Sequence, residues 1–320
     1  MSERTITTNG IDLHVVEEGS GFPVVLAHGF PELAYSWRHQ LPALAAAGYH
    51  AIAPDMRGYG RTSRPEVVED YDIIHLTDDL VGILDDLGHE RAVFVGHDWG
   101  SMVVWTLALR HPERVAGVVG MSVPFIPRPP APTVQLLRQL FQEMFFYMVY
   151  FQQPGVADAD LGRDPATTMR RLLASTRSEP GAAPDPAAMA DDGRGFVERI
   201  PEPDGLPSWL SQDELDHYVA EFTRTGFTGG LNWYRNLDRN WELTPDLDGA
   251  TVQVPSMFIG GTHDPVLTMS PPAVMDEFVT DHRGTVLIEG AGHWVQQEAA
   301  AEVNAALLDF LAGLDVKVEG

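Results

Sequence analysis

At 320 residues the chain exceeds the usual size of a single core, which predicts one large core carrying an inserted smaller module. Its 44% apolar content and seven Trp fit a compact globular protein, and the absence of cysteine excludes disulfides, cysteine-ligated zinc and thiol catalysis. The 46 acidic residues against 21 basic ones give a formal charge of -25, which repels phosphate backbones and anionic headgroups, so neither nucleic acid nor a membrane surface is an expected partner.

The polar start, Met1 to Thr5, lacks the apolar stretch of a signal peptide. The longest aromatic run, Phe145 to Phe151, is far shorter than the roughly 20 apolar residues that span a bilayer. A cytoplasmic location is the expectation. Residues 5–16 alternate around Ile6, Ile11, Leu13 and Val15 as a half-buried hairpin would, while Pro23 to Ala27 is a short continuous apolar run that reads as a strand buried on both faces. A helix over Tyr35 to Ala47, stopped by Gly48, leads to a strand over Tyr49 to Ala53. The alternation repeats with a helix over Ile74 to Leu87, a strand over Ala92 to Val95, a sharp turn at Gly96 to Gly100, a helix over Ser101 to Arg110 and a strand over Val115 to Met121. Strands separated by helices of this length predict a mainly parallel sheet covered on both faces.

From about Pro124 the strand signals vanish. A proline-rich stretch leads into an aromatic helix ending near Phe151. Asp164-Pro165 reads as an N-cap followed by proline at the first helical position, and Ser211 with Glu214 forms a capping-box pattern before a helix ending at Gly226. Between them, residues 178–207 have the Pro, Gly, Ala and Asp content of a mobile surface loop. The rhythm resumes with a strand over Val254 to Gly260, a helix around Ala273 to Val279, a strand over Thr285 to Ile288 and a last helix from Glu298 to Leu314. The predicted organisation is an α/β core over 1–123 and 246–320, interrupted by an all-helical cap over 124–245.

The turn Gly96-His97-Asp98-Trp99-Gly100 joins a buried strand to a helix, with a glycine two positions to either side of Asp98. A nucleophile elbow needs this layout, because small residues let the backbone turn tightly and lift the central side chain clear of the sheet. Aspartate stands where serine is usual, which excludes an ordinary serine esterase. Asp264 follows the strand over Val254 to Gly260 and His293 the strand after that, completing the order nucleophile, acid, histidine with each residue at a strand end. His28-Gly29-Phe30-Pro31 lies after an early strand, where a backbone N–H of Phe30 pairs with that of Trp99 as an oxyanion hole.

In these segments, and in Asp55 to Gly60 and Gly292-His293-Trp294, the chain resembles a soluble epoxide hydrolase of the α/β-hydrolase superfamily. Phe146 to Val156 and Leu231 to Asn236 are similar to the family segments that bring two tyrosines over the nucleophile. The resemblance runs from about residue 5 to 312 and is weakest over 178–207; Gln153 departs from the glutamate common before Pro-Gly-Val. It implies an α/β-hydrolase fold with a helical cap, no cofactor and no metal, and Tyr147 and Tyr234 as proton donors, with Tyr150 as the rival to Tyr147. His28, Pro31, Met102 and Tyr150 are the candidate pocket residues, and His97 and His263 the candidate supporting groups.

An epoxide carbon is saturated, so attack by serine would leave an inert ether, whereas attack by a carboxylate leaves an ester that water can cleave. The expected substrate is therefore a small apolar epoxide, with water as second reactant. Whether the chain forms a homodimer stays open. The alternative is a haloalkane or haloacid dehalogenase with the same Asp98, His293 and Asp264. Phe30 stands where the first commonly carries a side-chain amide, and Trp99 where the second carries arginine. An inactive ligand-binding relative is the other class, yet no member of the machinery is missing.

Overall fold

The computed structural model describes residues 1–179 and 186–316. Eight strands form one sheet: β1 (Ser2–Thr8), β2 (Ile11–Glu18), β3 (Phe22–Ala27), β4 (Tyr49–Pro54), β5 (Ala92–His97), β6 (Val115–Met121), β7 (Ser256–Gly261) and β8 (His282–Ile288). Their order is β1-β2-β4-β3-β5-β6-β7-β8, antiparallel at β1/β2 and β2/β4 and parallel from β4 onward. The apolar runs of β3, β5 and β6 sit mid-sheet, where both faces are covered and alternation has no use.

Side chains of β3 show how the layers divide. Val24 and Leu26 join one core with Leu41 and Leu44 of α1 (Gln40–Ala46), whereas Val25 and Ala27 join the other with α2 (Ile73–Leu87) and α3 (Trp99–Arg110). The helix expected over Tyr35 to Ala47 is split into a 3-10 turn over Ala34–Trp37 and α1. Pro42 explains the restart: it has no N–H, and in the first turn of a helix none is required.

Between β6 and β7 every described regular element is helical: α4 (Thr133–Phe141), α5 (Tyr147–Tyr150), α6 (Val156–Gly162), α7 (Pro165–Ser175), α8 (Pro186–Met189), α9 (Phe196–Arg199), α10 (Gln212–Thr225), α11 (Thr228–Arg235) and α12 (Leu237–Leu243). The aromatic helix expected to end near Phe151 is broken into α4 and α5, with Gln142 at φ +41° between them. Asp164 caps α7 by accepting from the Thr167 N–H, and the Ser211/Glu214 capping box opens α10. Of the expected mobile loop 178–207, residues 180–185 lie outside the described residues; the rest includes α8 and α9, and Val197 is buried.

After β7 come α13 (Val266–Met269), α14 (Met275–Phe278), α15 (Val295–Glu298) and α16 (Ala300–Ala312), the last packing on the α1 face through Val303, Leu307 and Phe310. Parallel register carries Ala27 beside Gly96, His97 beside Met121 and Met121 beside Ile259, so the carboxyl ends of β3, β5, β6 and β7 open on one edge. Loops at that edge are where an α/β sheet gathers reactive groups. Among the described residues no helix is long and apolar enough to cross a membrane.

Candidate active site

Asp98 lies between β5 and α3 with φ +53° and ψ -120°, a conformation disfavoured for a residue with a side chain. The surroundings hold it there. A Cβ on Gly100 would strike the Ala27 carbonyl, and one on Gly96 would strike the Gly100 carbonyl, so the strand and helix can meet this closely only without side chains at both positions. The Asp98 N–H is bonded to the Met121 carbonyl at 3.2 Å.

The loop after β3 approaches from the other side. Phe30 N–H donates to Asp98 Oδ1 at 2.8 Å, and the Phe30-Pro31 bond is cis. Trp99 is the first residue of α3, so its N–H is one of those a helix start leaves without an intrahelical partner. Asp98 Oδ2 lies 3.6 Å from His293 Nε2, and His293 Nδ1 lies 3.1 Å from both carboxylate oxygens of Asp264.

Burial of Asp264 opposes its charge, but the adjacent His293, the bond from its ring and the Val266 N–H outweigh that and hold the carboxyl below the usual range. Burial likewise opposes an imidazolium at His293. The carboxylates of Asp264 and Asp98 more than compensate and raise its pKa well above the ordinary value. The histidine thus keeps a proton while two anions face it.

A cavity of about 320 Å³ opens above Asp98 and His293, lined by Tyr147, Tyr234, Phe30, Pro31, Phe151 and Trp294 among others. Tyr147 starts α5 and Tyr234 lies near the end of α11; their rings meet edge to face with centroids 5.9 Å apart. Tyr234 is buried and Tyr147 half-buried, and burial followed by the Asp98 charge pushes both phenols upward, so they remain protonated. Tyr150 is different. Its OH donates to Asp160 Oδ2 at 3.3 Å, and burial with the Asp160 charge raises it to about 12.

Three candidate pocket residues need correction: Tyr150, Met102 and His28 are not among those lining the cavity, whereas Pro31 is. Two helical positions three apart differ by roughly 60° around the axis, enough to aim Tyr147 at the cavity and Tyr150 at Asp160. Met102 packs on the core beneath the elbow. His28 is fully buried, accepts from the Met56 N–H at 2.9 Å and donates to the Gly29 carbonyl at 2.9 Å; burial lowers its pKa, which suits this neutral tautomer.

His97 supports the site from below. Its ring meets Glu32 Oε2 at 2.6 Å and the His293 carbonyl at 2.7 Å, and both partners are acceptors. His263 takes a smaller part, contacting Thr262 Oγ1 at 3.3 Å while its carbonyl accepts from the Ser178 N–H. Several contributors were missed in the sequence. Glu32 directly follows the His28 to Pro31 segment and is given no role by the sequence, and Ser122, at φ +64° after β6, donates to the His293 carbonyl at 2.7 Å. Phe196, Arg199, Ile200 and Pro201, from the expected loop, form one cavity wall.

An eight-stranded, mostly parallel sheet with a strained aspartate elbow and a helical cover defines the class, and the family described as the alpha/beta hydrolase fold matches residues 23–300. The chain is 59% identical to Epoxide hydrolase A of Mycobacterium tuberculosis, with 99% of each chain covered. Epoxide hydrolase A from Mycobacterium thermoresistibile superposes with a TM-score of 0.94 at 56% identity over 99% of both chains, and an epoxide hydrolase from Vigna radiata with 0.89 at 40% identity over 97% of both. The chain belongs to the epoxide hydrolase family within the α/β-hydrolases.

Proposed function

We propose that the protein hydrolyses a small apolar epoxide to a vicinal diol through an ester on Asp98. Phe30 N–H engages Asp98 Oδ1, which leaves Oδ2 as the attacking oxygen. As Oδ2 bonds to one epoxide carbon, the ring C–O bond breaks and the released oxygen takes a proton from Tyr147 or Tyr234. The observation that carries this reading is that Asp98 and two protonated tyrosines face one largely apolar cavity. A halide would leave as an anion and use N–H donors, without any call for two phenols.

Ester formation removes the Asp98 charge, and with it one of the two anions that hold the proton on His293. The proton that His293 gives up reprotonates, through water, the tyrosinate left by ring opening. The neutral imidazole then draws a proton from a second water, and the hydroxide formed attacks the Asp98 carbonyl carbon. Asp264 stabilises the resulting imidazolium. The oxyanion develops on Oδ1 against the Phe30 and Trp99 N–H groups; its collapse expels the diol oxygen, which takes the proton of the newly formed carboxyl group and so restores the carboxylate.

Incubation with styrene oxide and with bromobutane separates the readings: diol from the first supports this one, and halide from the second without diol from the first overturns it. Asp98→Ala is expected to lose all turnover, and His293→Gln to accumulate an adduct of enzyme plus substrate mass in intact-protein mass spectrometry. Replacing Tyr147 and Tyr234 together by Phe is expected to slow single-turnover ester formation at least 100-fold, on the order of the usual worth of a proton donor. Ester formation at the wild-type rate in that double variant would remove the tyrosines from the mechanism.

A further inference from the structure

Glu298 has no part in the chemistry above, yet three donors converge on its carboxylate, whose side chain is only 3% exposed. Oε2 accepts from the Gly292 N–H at 2.8 Å and from Arg177 Nη1 at 2.9 Å; Oε1 accepts from the Trp294 N–H at 2.9 Å. These two amides belong to the residues immediately before and after His293. One carboxylate therefore grips the backbone on both sides of the proposed base.

The other restraints on His293 leave this grip with work to do. Its carbonyl is held at 2.7 Å by Ser122 Oγ and by the His97 ring, and its ring is held at Nδ1 by Asp264. Its own N–H reaches only the Thr176 carbonyl, at 3.4 Å. Further bonds hold the flanks, the Ala291 carbonyl accepting from the His263 N–H and the Trp294 carbonyl from the Gln297 N–H, both at 2.8 Å. The amides on either side of His293 are oriented by Glu298, and losing it would leave two backbone N–H groups without that acceptor.

Arg177 adds a connection to the helical cover. It follows α7, and that stretch meets both catalytic loops: Trp294 Nε1 donates to the Leu172 carbonyl at 3.1 Å, and the Ser178 N–H to the His263 carbonyl at 2.9 Å. A Cβ on Gly292 would lie 2.6 Å from Arg177 Cγ, so the arginine stem lies directly against the histidine loop.

We propose that Glu298 is a positioning residue that sets the His293 imidazole for water activation, and that Arg177 ties this setting to the seating of the cap. The proposal rests on the covalent reading of Asp98. It singles out one step: ester formation needs Asp98 and a proton donor, whereas ester hydrolysis needs an aligned base, and misplacement by about 1 Å costs on the order of 100-fold.

Rapid-quench mass spectrometry of the full chain with styrene oxide resolves the two steps in the wild type and in Glu298→Ala, Glu298→Gln and Arg177→Met. In Glu298→Ala, ester formation is expected within about twofold of wild type while hydrolysis slows about 10- to 100-fold, so the ester accumulates. Glu298→Gln retains one acceptor oxygen and is expected to fall between, as is Arg177→Met, which leaves both amide bonds intact. Should Glu298→Ala fail to fold, these two variants decide. Equal loss in both steps, or unchanged hydrolysis, overturns the positioning role. If the wild type forms no ester, the covalent reading falls and this proposal with it; an ester in the wild type with proportionate losses in the variants sinks the proposal alone.

Discussion

Glu32 is the most heavily committed side chain beneath the site. It is fully buried and accepts from the His97 ring, the Gly29 N–H and Gln296 Nε2, so it braces the loop that carries Phe30 and, through His97, the His293 carbonyl. Burial opposes its charge, but the charge of His97 and the bond from its ring win and hold the carboxyl at about 2. A depressed folded pKa contributes stability that is present above the ordinary glutamate value of about 4.3 and is lost as pH falls through the folded value. Glu32→Gln is thus expected to cost about 3 kcal/mol or more in urea unfolding near neutral pH, the cost of removing one partner of a buried pair. The deficit should shrink as pH falls from about 4.3 toward 2, and a deficit that stays constant over that range would show that charge is not its cause. Asp98, Asp264, His293, Tyr147 and Tyr234 are recognisable in the sequence because each sits in a segment whose chemistry constrains its neighbours. Glu32, Ser122 and Glu298 are not: the first two act through bonds to residues as far as 264 and 171 positions away, and Glu298, whose amide partners lie only four and six residues before it, sits in no motif that marks it.

Elements with local signals were legible and those set by tertiary context were not. The capping box at Ser211 and Glu214 is local, and both halves form: Glu214 Oε2 accepts from the Ser211 N–H at 2.7 Å while Ser211 Oγ accepts from the Glu214 N–H at 3.3 Å. Ser211→Ala is expected to lower stability by about 1 kcal/mol, a melting shift of about 1–2 °C, without altering turnover of styrene oxide. A shift below the error of calorimetry would mean that α10 is held by packing and the Arg38–Glu214 ion pair alone. The breaks in expected helices had weaker local signals, Pro42 being the exception. The segment 178–207 shows the limit of composition: its Pro, Gly and Asp content reads as surface, yet Phe196, Ile200 and Pro201 form a cavity wall, since apolar residues scattered in a polar stretch reveal their side only when a neighbouring surface exists.

For the whole molecule, the formal charge of -25 sets two electrostatic effects against each other. Salt screens attractive pairs on the surface, such as Arg61–Glu3 and Arg163–Glu198, and it also screens repulsion among the acidic excess. Exposed pairs are worth between zero and about 1 kcal/mol each, so their loss costs little. Pairs such as Arg57–Asp79, with both side chains 2% exposed, lie beyond the reach of salt. Even if every one of the 21 basic residues were paired with a separate carboxylate, 46 − 21 = 25 acidic residues would remain to repel one another, and that repulsion weighs on the compact state more than on the expanded one. Repulsion should dominate. Raising sodium chloride from about 0.01 M to 0.15 M shortens the screening length from about 30 to 8 Å and is expected to raise the melting temperature by a few degrees at neutral pH. The same salt step close to the isoelectric point, about 4.6, should have much less effect, because protonation has already removed the excess charge. A melting temperature that falls with salt at neutral pH would show instead that specific ion pairs outweigh the net charge in holding cap and core together.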